Sequence, residues 1–208
     1  MVALHRAFRV ALLVPLLIAT GCGRADGEPT LAAVKAAAQK YQDVNVAKAE
    51  NYTTDNKCVT AEMLGFSAND GAMGLHYVRR DLLGLPAKPS QSGGLRVSGT
   101  GTYTDFTKPA MLVYEPQADG SLELVAVENL VFADAWNRKA GNRPPRFHGR
   151  NWPLLRDDPG TPVDEAHGWE PHFEQHLWVF RDNPKGTYFP FNPNVTCAHH
   201  KPPAAMTH

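Results

Sequence analysis

Hydrophobic and polar positions alternate most regularly in the middle of the chain. Ala110 to Glu115 and Leu122 to Phe132 are rich in β-forming residues, with Asp119-Gly120 between them as a tight-turn pair, which predicts a β-hairpin. If those two residues make the loop, Ala118 faces Ser121, Glu115 faces Leu124 and Met111 faces Glu128. One face of the hairpin then carries Met111, Val113, Glu115, Leu122, Leu124, Ala126, Glu128, Leu130 and Phe132. A different period governs the start of the domain. Thr30 reads as a helix N-cap, and from Leu31 to about Glu50 the residues Leu31, Val34, Ala38, Tyr41 and Asn45 or Val46 recur at spacings of three and four. That stripe predicts an amphipathic helix covering a sheet. Gly71 to Val78, entered through glycines, and His172 to Phe180 read as further strands. Residues 84–108 are rich in Gly, Pro, Ser and Thr and predict an exposed irregular insertion, and residues 137–171, with several prolines and little periodicity, predict a long surface loop. The fold class expected is α+β: an N-terminal helix packed on a curled, mainly antiparallel β-sheet, a partial barrel, with long loops. Its globular domain spans residues 30–197, with a disordered tail at 198–208.

The apolar run at the N-terminus changes the picture. Met1 to Arg9 carry Arg6 and Arg9 without an acid, Val10 to Ile18 are apolar, and Ala19-Thr20-Gly21 are the small residues a processing enzyme needs. A run this short cannot span a bilayer, which takes roughly 20 apolar helical residues. Residues 1–21 are therefore expected to be a signal peptide. Ala19-Thr20-Gly21-Cys22 resembles the bacterial lipobox, although its first position is more often leucine. Lipidation at Cys22 would anchor the mature chain to a membrane through a tether at residues 22–29. The expected location is the cell envelope, on the extracytoplasmic side. The alternative is plain secretion with Cys22 as a free thiol.

With Cys22 assigned, Cys58 and Cys197 remain, and in an oxidising compartment they predict one disulfide. The chain-entropy model gives a loop of that length an upper figure of about 5 kcal/mol. Lys and Arg total 21 and Asp and Glu 21, so the chain is formally neutral, and without Arg6 and Arg9 the remainder is slightly acidic. No basic patch points to nucleic acid. Asn51-Tyr52-Thr53 and Asn194-Val195-Thr196 fit the glycosylation triplet, which the bacterial lipobox makes incidental.

Candidate chemistry begins with Glu128, an acid on an otherwise apolar strand face. A buried carboxylate needs a metal or a partner, for instance an arginine such as Arg79, Arg80 or Arg181, unless the other face of the strand is the buried one. In His172-Phe173-Glu174-Gln175-His176-Leu177-Trp178, a strand sends His172, Glu174 and His176 to one side. Glu174 and His176 can then converge on one ion, with His172 roughly 13 Å from His176 along the strand. A helix would instead bring His172 and His176 together at zinc-pair spacing; Trp178, Val179, Phe180 and nearby Pro171 favour the strand. His76 completes a set of imidazoles and carboxylates suited to zinc, iron, manganese or copper. Glu115 is a further candidate, as an acid or base. His199, His200 and His208 offer only a loose tail site. The sequence holds no nucleophile elbow, phosphate loop, dinucleotide fingerprint or haem-attachment pair.

Gly71-Ala72-Met73-Gly74-Leu75-His76-Tyr77, Leu112-Val113-Tyr114-Glu115-Pro116, Val127-Glu128-Asn129, Glu174-Gln175-His176-Leu177-Trp178 and Asn192-Pro193-Asn194-Val195-Thr196-Cys197 together resemble a family of uncharacterised bacterial exported proteins. The resemblance spans roughly Val34 to Cys197. It implies a shared site at His76, Glu115, Glu128, Glu174 and His176, leaves His172 outside the pattern, and implies no reaction. Two functions are expected from these residues. One is an envelope lipoprotein with a divalent metal at His76, Glu128, Glu174 and His176, as a metal-binding protein or a metal-dependent enzyme on a small molecule. The other is a non-catalytic envelope or partner-binding module whose histidines and carboxylates form a structural polar network.

Overall fold

A computed structural model describes residues 27–86 and 96–201. The expected signal peptide, Cys22 and the tether as far as residue 26 lie outside the described residues, as do part of the insertion (87–95) and the end of the tail (202–208). Among the described residues no helix is long and apolar enough to cross a membrane.

Thr30 caps the first helix, α1 (Leu31–Ala38), its side chain accepting from the Ala33 N–H at 3.1 Å. The single predicted helix is broken. A 3₁₀ turn covers Gln39–Gln42, and Asp43 leaves helical geometry to cap α2 (Val44–Ala49) through its carboxylate and the Asn45 N–H. An Asp side chain competes for nearby backbone donors and so restarts a helix more readily than it continues one. Up to the break the predicted apolar stripe holds, with Val34, Ala38 and Tyr41 buried; beyond it Asn45 is exposed and Val46 only partly buried, and Ala47 takes the buried position instead.

Strands β1 (Tyr52–Thr53), β2 (Cys58–Thr60), β3 (Ala72–Arg79), β4 (Met111–Pro116) and β5 (Leu122–Phe132) follow. After α3 (Ala133–Ala140) come β6 (Arg146–Phe147), β7 (Arg150–Asn151), β8 (Leu154–Leu155) and β9 (His172–Leu177). The main sheet has the order β1-β3-β4-β5-β9-β8, with β2 sharing the outer edge of β3 with β1; β6 and β7 pair separately. Among the described residues every pairing between these strands is antiparallel, and an isolated bridge from Val97 to Trp169 is parallel. Among the described residues no pairing joins β8 to β1 or β2, so the ladder is open rather than a closed barrel. The protein is thus a mixed fold of few helices and a mainly antiparallel sheet.

The β4–β5 hairpin departs from its predicted register in an instructive way. Gln117 donates to Ser121 across a three-residue loop whose last member, Gly120, has φ +88°, the glycine position of a bulged hairpin loop. Glu115 therefore faces Glu123 and not Leu124, until a bulge after Val113 restores Met111 opposite Glu128 as predicted. One extra residue exchanges the two sides of a strand. Leu122 and Leu124 accordingly pack with Tyr114 beneath the helices, apart from Glu128.

Cross-strand partners share a face, so Tyr77, Leu112, Val127 and Leu177 form one continuous row. With Tyr114, Val131 and Phe173 they pack against Val34, Ala38 and Tyr41 in the largest apolar cluster. Its two deepest tyrosine hydroxyls are satisfied, Tyr114 Oη donating to the Tyr41 carbonyl at 2.6 Å and Tyr52 Oη to the Pro109 carbonyl at 2.6 Å, whereas the buried Trp152 Nε1 has no hydrogen-bond partner. The Cys58–Cys197 disulfide is present, with 5.8 Å between Cα atoms, and joins β2 to the end of the domain. The chain beyond it turns once more, the His200 N–H donating to the Cys197 carbonyl.

The segments expected as surface loops contribute to the interior. Phe106, from the insertion, is fully buried against Phe147 and Trp152 from the segment 137–171. That second segment also supplies β8, which covers the outer edge of β9.

Candidate metal centre

The opposite face of the sheet starts from the neighbouring row, Val78, Met111, Glu128 and His176. Register alone sets His176 directly across from Glu128, Glu174 across from Leu130 and His172 across from Phe132. His76 lies two residues before Val78 on β3 and therefore shares this side. Small apolar clusters stand at either end, one around Met111, Leu130 and Phe132 and one around Val113, Ala126 and Trp178. Between them is a buried strip of ionisable side chains.

Two groups within this strip could each hold a metal ion. In the first, His76, Glu128 and His176 bring one ligand atom each within 4.8 Å of the others. Nε2 of His76 and Nε2 of His176 both lie 3.2 Å from Glu128 Oε2. The side chains of Glu128 and His176 are 1% exposed and that of His76 13%. The indole of Trp178 stacks on the His176 ring at 5.9 Å between centroids. In the second, His167, His172 and Glu174 converge in the same way. Glu174 Oε2 is 3.3 Å from His172 Nε2 and 3.9 Å from His167 Nε2, while its Oε1 is 3.7 Å from His176 Nδ1.

The short contacts of the first group are not hydrogen bonds. Glu128 Oε2 and His176 Nε2 are both buried with no hydrogen-bond partner, as are Glu174 Oε1 and His167 Nε2 in the second group. Leaving one such atom unsatisfied costs roughly 1–3 kcal/mol, and more for a charged group. Four such atoms in one strip could be satisfied together by a cation. Tetrahedral zinc with bonds of roughly 2.0–2.1 Å would separate its ligand atoms by about 3.3–3.4 Å, close to the 3.2 Å contacts at Glu128. His172 adds a tautomer argument. Its Nδ1 meets the Glu170 carbonyl at 2.9 Å, which can only accept, so a neutral ring turns the Nε2 lone pair onto the Glu174 carboxylate. Such a contact requires a second proton or a metal ion.

The electrostatics show how poorly the strip is balanced by its own groups. Burial raises the Glu128 carboxyl well above the usual range, with His176 opposing the shift and the neighbouring Glu174 charge adding to it. Burial works in the same direction on Glu174, but the hydrogen bond from His172 and the charges of His176, His172 and His167 hold it below the usual range. Burial lowers His76 against the pull of Glu174 and Asp55, and brings His167 down to about 4. His172 is raised: burial opposes its charge, but the hydrogen bond and charge of Glu174 outweigh it. The two carboxyls are thus pushed in opposite directions, Glu128 up by burial and Glu174 down by the imidazoles around it.

A cavity of about 460 Å³ opens onto the strip, with His76, Glu128, His167, Trp169, Lys57 and Arg80 among its lining. Of the residues singled out in the sequence, His76, Glu128 and His176 come together, and Glu174 falls in the second group beside them. His172 joins Glu174 there. Glu115 belongs to neither group: its carboxylate is 2.8 Å from the Arg181 guanidinium and accepts from the Thr196 N–H at 2.8 Å. Arg181, one of the partners considered for Glu128, is thereby engaged by Glu115 and Glu123. His167 was not a sequence candidate. It sits in the aperiodic segment 137–171 at φ +40°, a conformation that no periodicity announces.

No known protein family, no curated protein and no solved structure matches the chain.

Proposed function

We propose that this is an exported, membrane-anchored lipoprotein whose sheet, curled about its polar face, binds a divalent metal through His76, Glu128 and His176 and acts on a small molecule in the adjoining cavity. The observation that carries the metal is the convergence of Glu128 Oε2 and His176 Nε2, buried and without hydrogen-bond partners, with His76 Nε2. The partly exposed His76 ring meets the cavity and leaves coordination positions on that side open to water or substrate. A metal held there would supply Lewis acidity, polarising a substrate oxygen or activating water. Zinc, iron and manganese all suit a site of two imidazoles and one carboxylate, and copper suits its imidazoles. The membership suggested by the sequence resemblance, in a family of bacterial exported proteins, agrees with export and adds no reaction.

The competing reading is a non-catalytic module in which the strip is a structural polar network. The hydrogen bonds on both ring nitrogens of His172 favour it. Metal analysis of the purified full chain separates the two. The expected result is a stoichiometric divalent ion, lost in the His76→Ala, His176→Ala double variant. A folded wild-type chain that stays metal-free and takes up no added zinc, iron, manganese or copper would establish the network instead. Anchoring has its own check. Cys22→Ala is expected to release the chain from membranes, and unchanged retention would refute the lipid.

A further inference from the structure

The metal reading above uses one group of ligands, yet the strip contains two of the same composition. Each has two imidazoles and one carboxylate, and in each the ligand atoms lie within 4.8 Å of one another. We infer that the protein holds two divalent ions at once, one at His76, Glu128 and His176 and one at His167, His172 and Glu174, both addressing the same cavity. The inference rests on the metal reading of the first group and extends it to a paired centre.

Three observations carry the second ion. First, an unsatisfied buried atom occurs in the second group as in the first: His167 Nε2, which faces Glu174 Oε2, has no hydrogen-bond partner, just as Glu128 Oε2 and His176 Nε2 have none. A merely structural prop for the first site would satisfy its polar atoms, because an orphaned buried group works against folding. Second, the outer contacts of a ligand set are already in place. The Glu170 carbonyl fixes the His172 ring through Nδ1 and leaves Nε2 facing Glu174 Oε2, the arrangement by which ligating histidines are oriented. Third, the cavity is lined by members of both groups, His76 and Glu128 from one and His167 from the other. A single molecule in that cavity can therefore reach both positions.

Glu174 is the physical link. Its Oε2 faces His172 and His167, and its Oε1 faces Nδ1 of His176 at 3.7 Å. The same carboxylate would therefore ligate one ion and set its second oxygen's negative charge beside an imidazole of the other. Two divalent cations against the two carboxylates Glu128 and Glu174 leave a net positive centre. Such a centre takes anionic oxygen ligands, and paired ions of this kind clamp both the attacking and the leaving oxygen in displacement reactions.

The test uses the full chain, stripped with chelator and dialysed against zinc alone, with bound zinc counted per chain. Two zinc ions are expected in the wild type and one in His167→Ala, whose site of change lies on a loop outside the sheet. Loading with manganese instead should give an electron paramagnetic resonance spectrum broadened by interaction between neighbouring ions. In His167→Ala the spectrum should revert to that of an isolated ion. One zinc in both proteins would overturn the second site and leave the first intact. None in either would remove the first as well. Two ions with independent manganese spectra would overturn the pairing. Should His167→Ala fail to fold, as judged by circular dichroism, wild-type stoichiometry and spectrum decide alone.

Discussion

The two faces of this sheet are both buried, and they are buried for opposite reasons. On the helix side the row Tyr77, Leu112, Val127 and Leu177 is apolar throughout and meets Val34, Ala38 and Tyr41. On the other side one step along each strand gives Met111, Glu128 and His176, followed by Glu174 and His172. Burial on the first face is what the hydrophobic effect produces unaided, at roughly 1.5–3 kcal/mol for each large side chain. On the second face the same removal from water opposes folding, because Glu128 and Glu174 lose hydration without gaining full partners. The contrast teaches that the first face holds the domain together and that the second is maintained at the first one's cost, which is how a buried polar strip differs from a core.

The largest effect should follow from damage to the apolar face. Leu112 is fully buried, and Leu112→Ala removes side-chain contacts that its neighbours on either strand cannot replace. A loss of about 2–5 kcal/mol in unfolding free energy is expected, measured by denaturant titration with metal chelated. Metal bound per folded chain should stay at the wild-type value, since Leu112 points away from Glu128. A fall in metal content at native fold would show that the two faces are coupled, and the contrast would fail.

How much of this division could be read beforehand depends on which interactions set it. Period-two alternation located β4, β5 and β9 and put Glu128 on a strand, because side-chain direction in a strand is a local property. It also placed Glu174 and His176 on one side of their strand, as found. The pairing of β5 with β9 was not legible, since nothing in either segment announces its partner across α3 and the long segment between them. His167 was hidden for a related reason. Its position at φ +40° is fixed by the tertiary contacts of its loop, among them a bridge from Trp169 to Val97 in the distant insertion. The hairpin shows the intermediate case. Asp119-Gly120 marked the turn correctly, but the loop's extra residue and the compensating bulge after Val113 moved Leu122 and Leu124 to the helix face. Glu115 was legible as an acid on the hairpin face, but its partners were not, because Arg181 and the Thr196 backbone arrive from the far end of the domain.

A smaller effect of opposite sign distinguishes the second face more sharply. Glu128→Leu keeps roughly the same volume and replaces an unpaired buried carboxyl with a side chain that suits Met111 and Leu130 beside it. Exchanging buried ionic groups for apolar ones of similar size is often neutral or stabilising by about 1–4 kcal/mol. The metal-free variant is therefore expected to equal or exceed the metal-free wild type in denaturant stability at about pH 8, where unperturbed imidazoles are neutral. Metal should reverse the order. A ligand that binds only the folded state adds stability in proportion to the logarithm of its concentration over its dissociation constant, and only the wild type retains the full ligand set at that position. With zinc in excess the wild-type curve should move to higher denaturant and the Glu128→Leu curve should move less. If Glu128→Leu is instead several kcal/mol less stable than wild type with chelator present, the carboxyl is a structural partner of His76 and His176. The strip would then belong, with Leu112 and its row, to what holds the fold together.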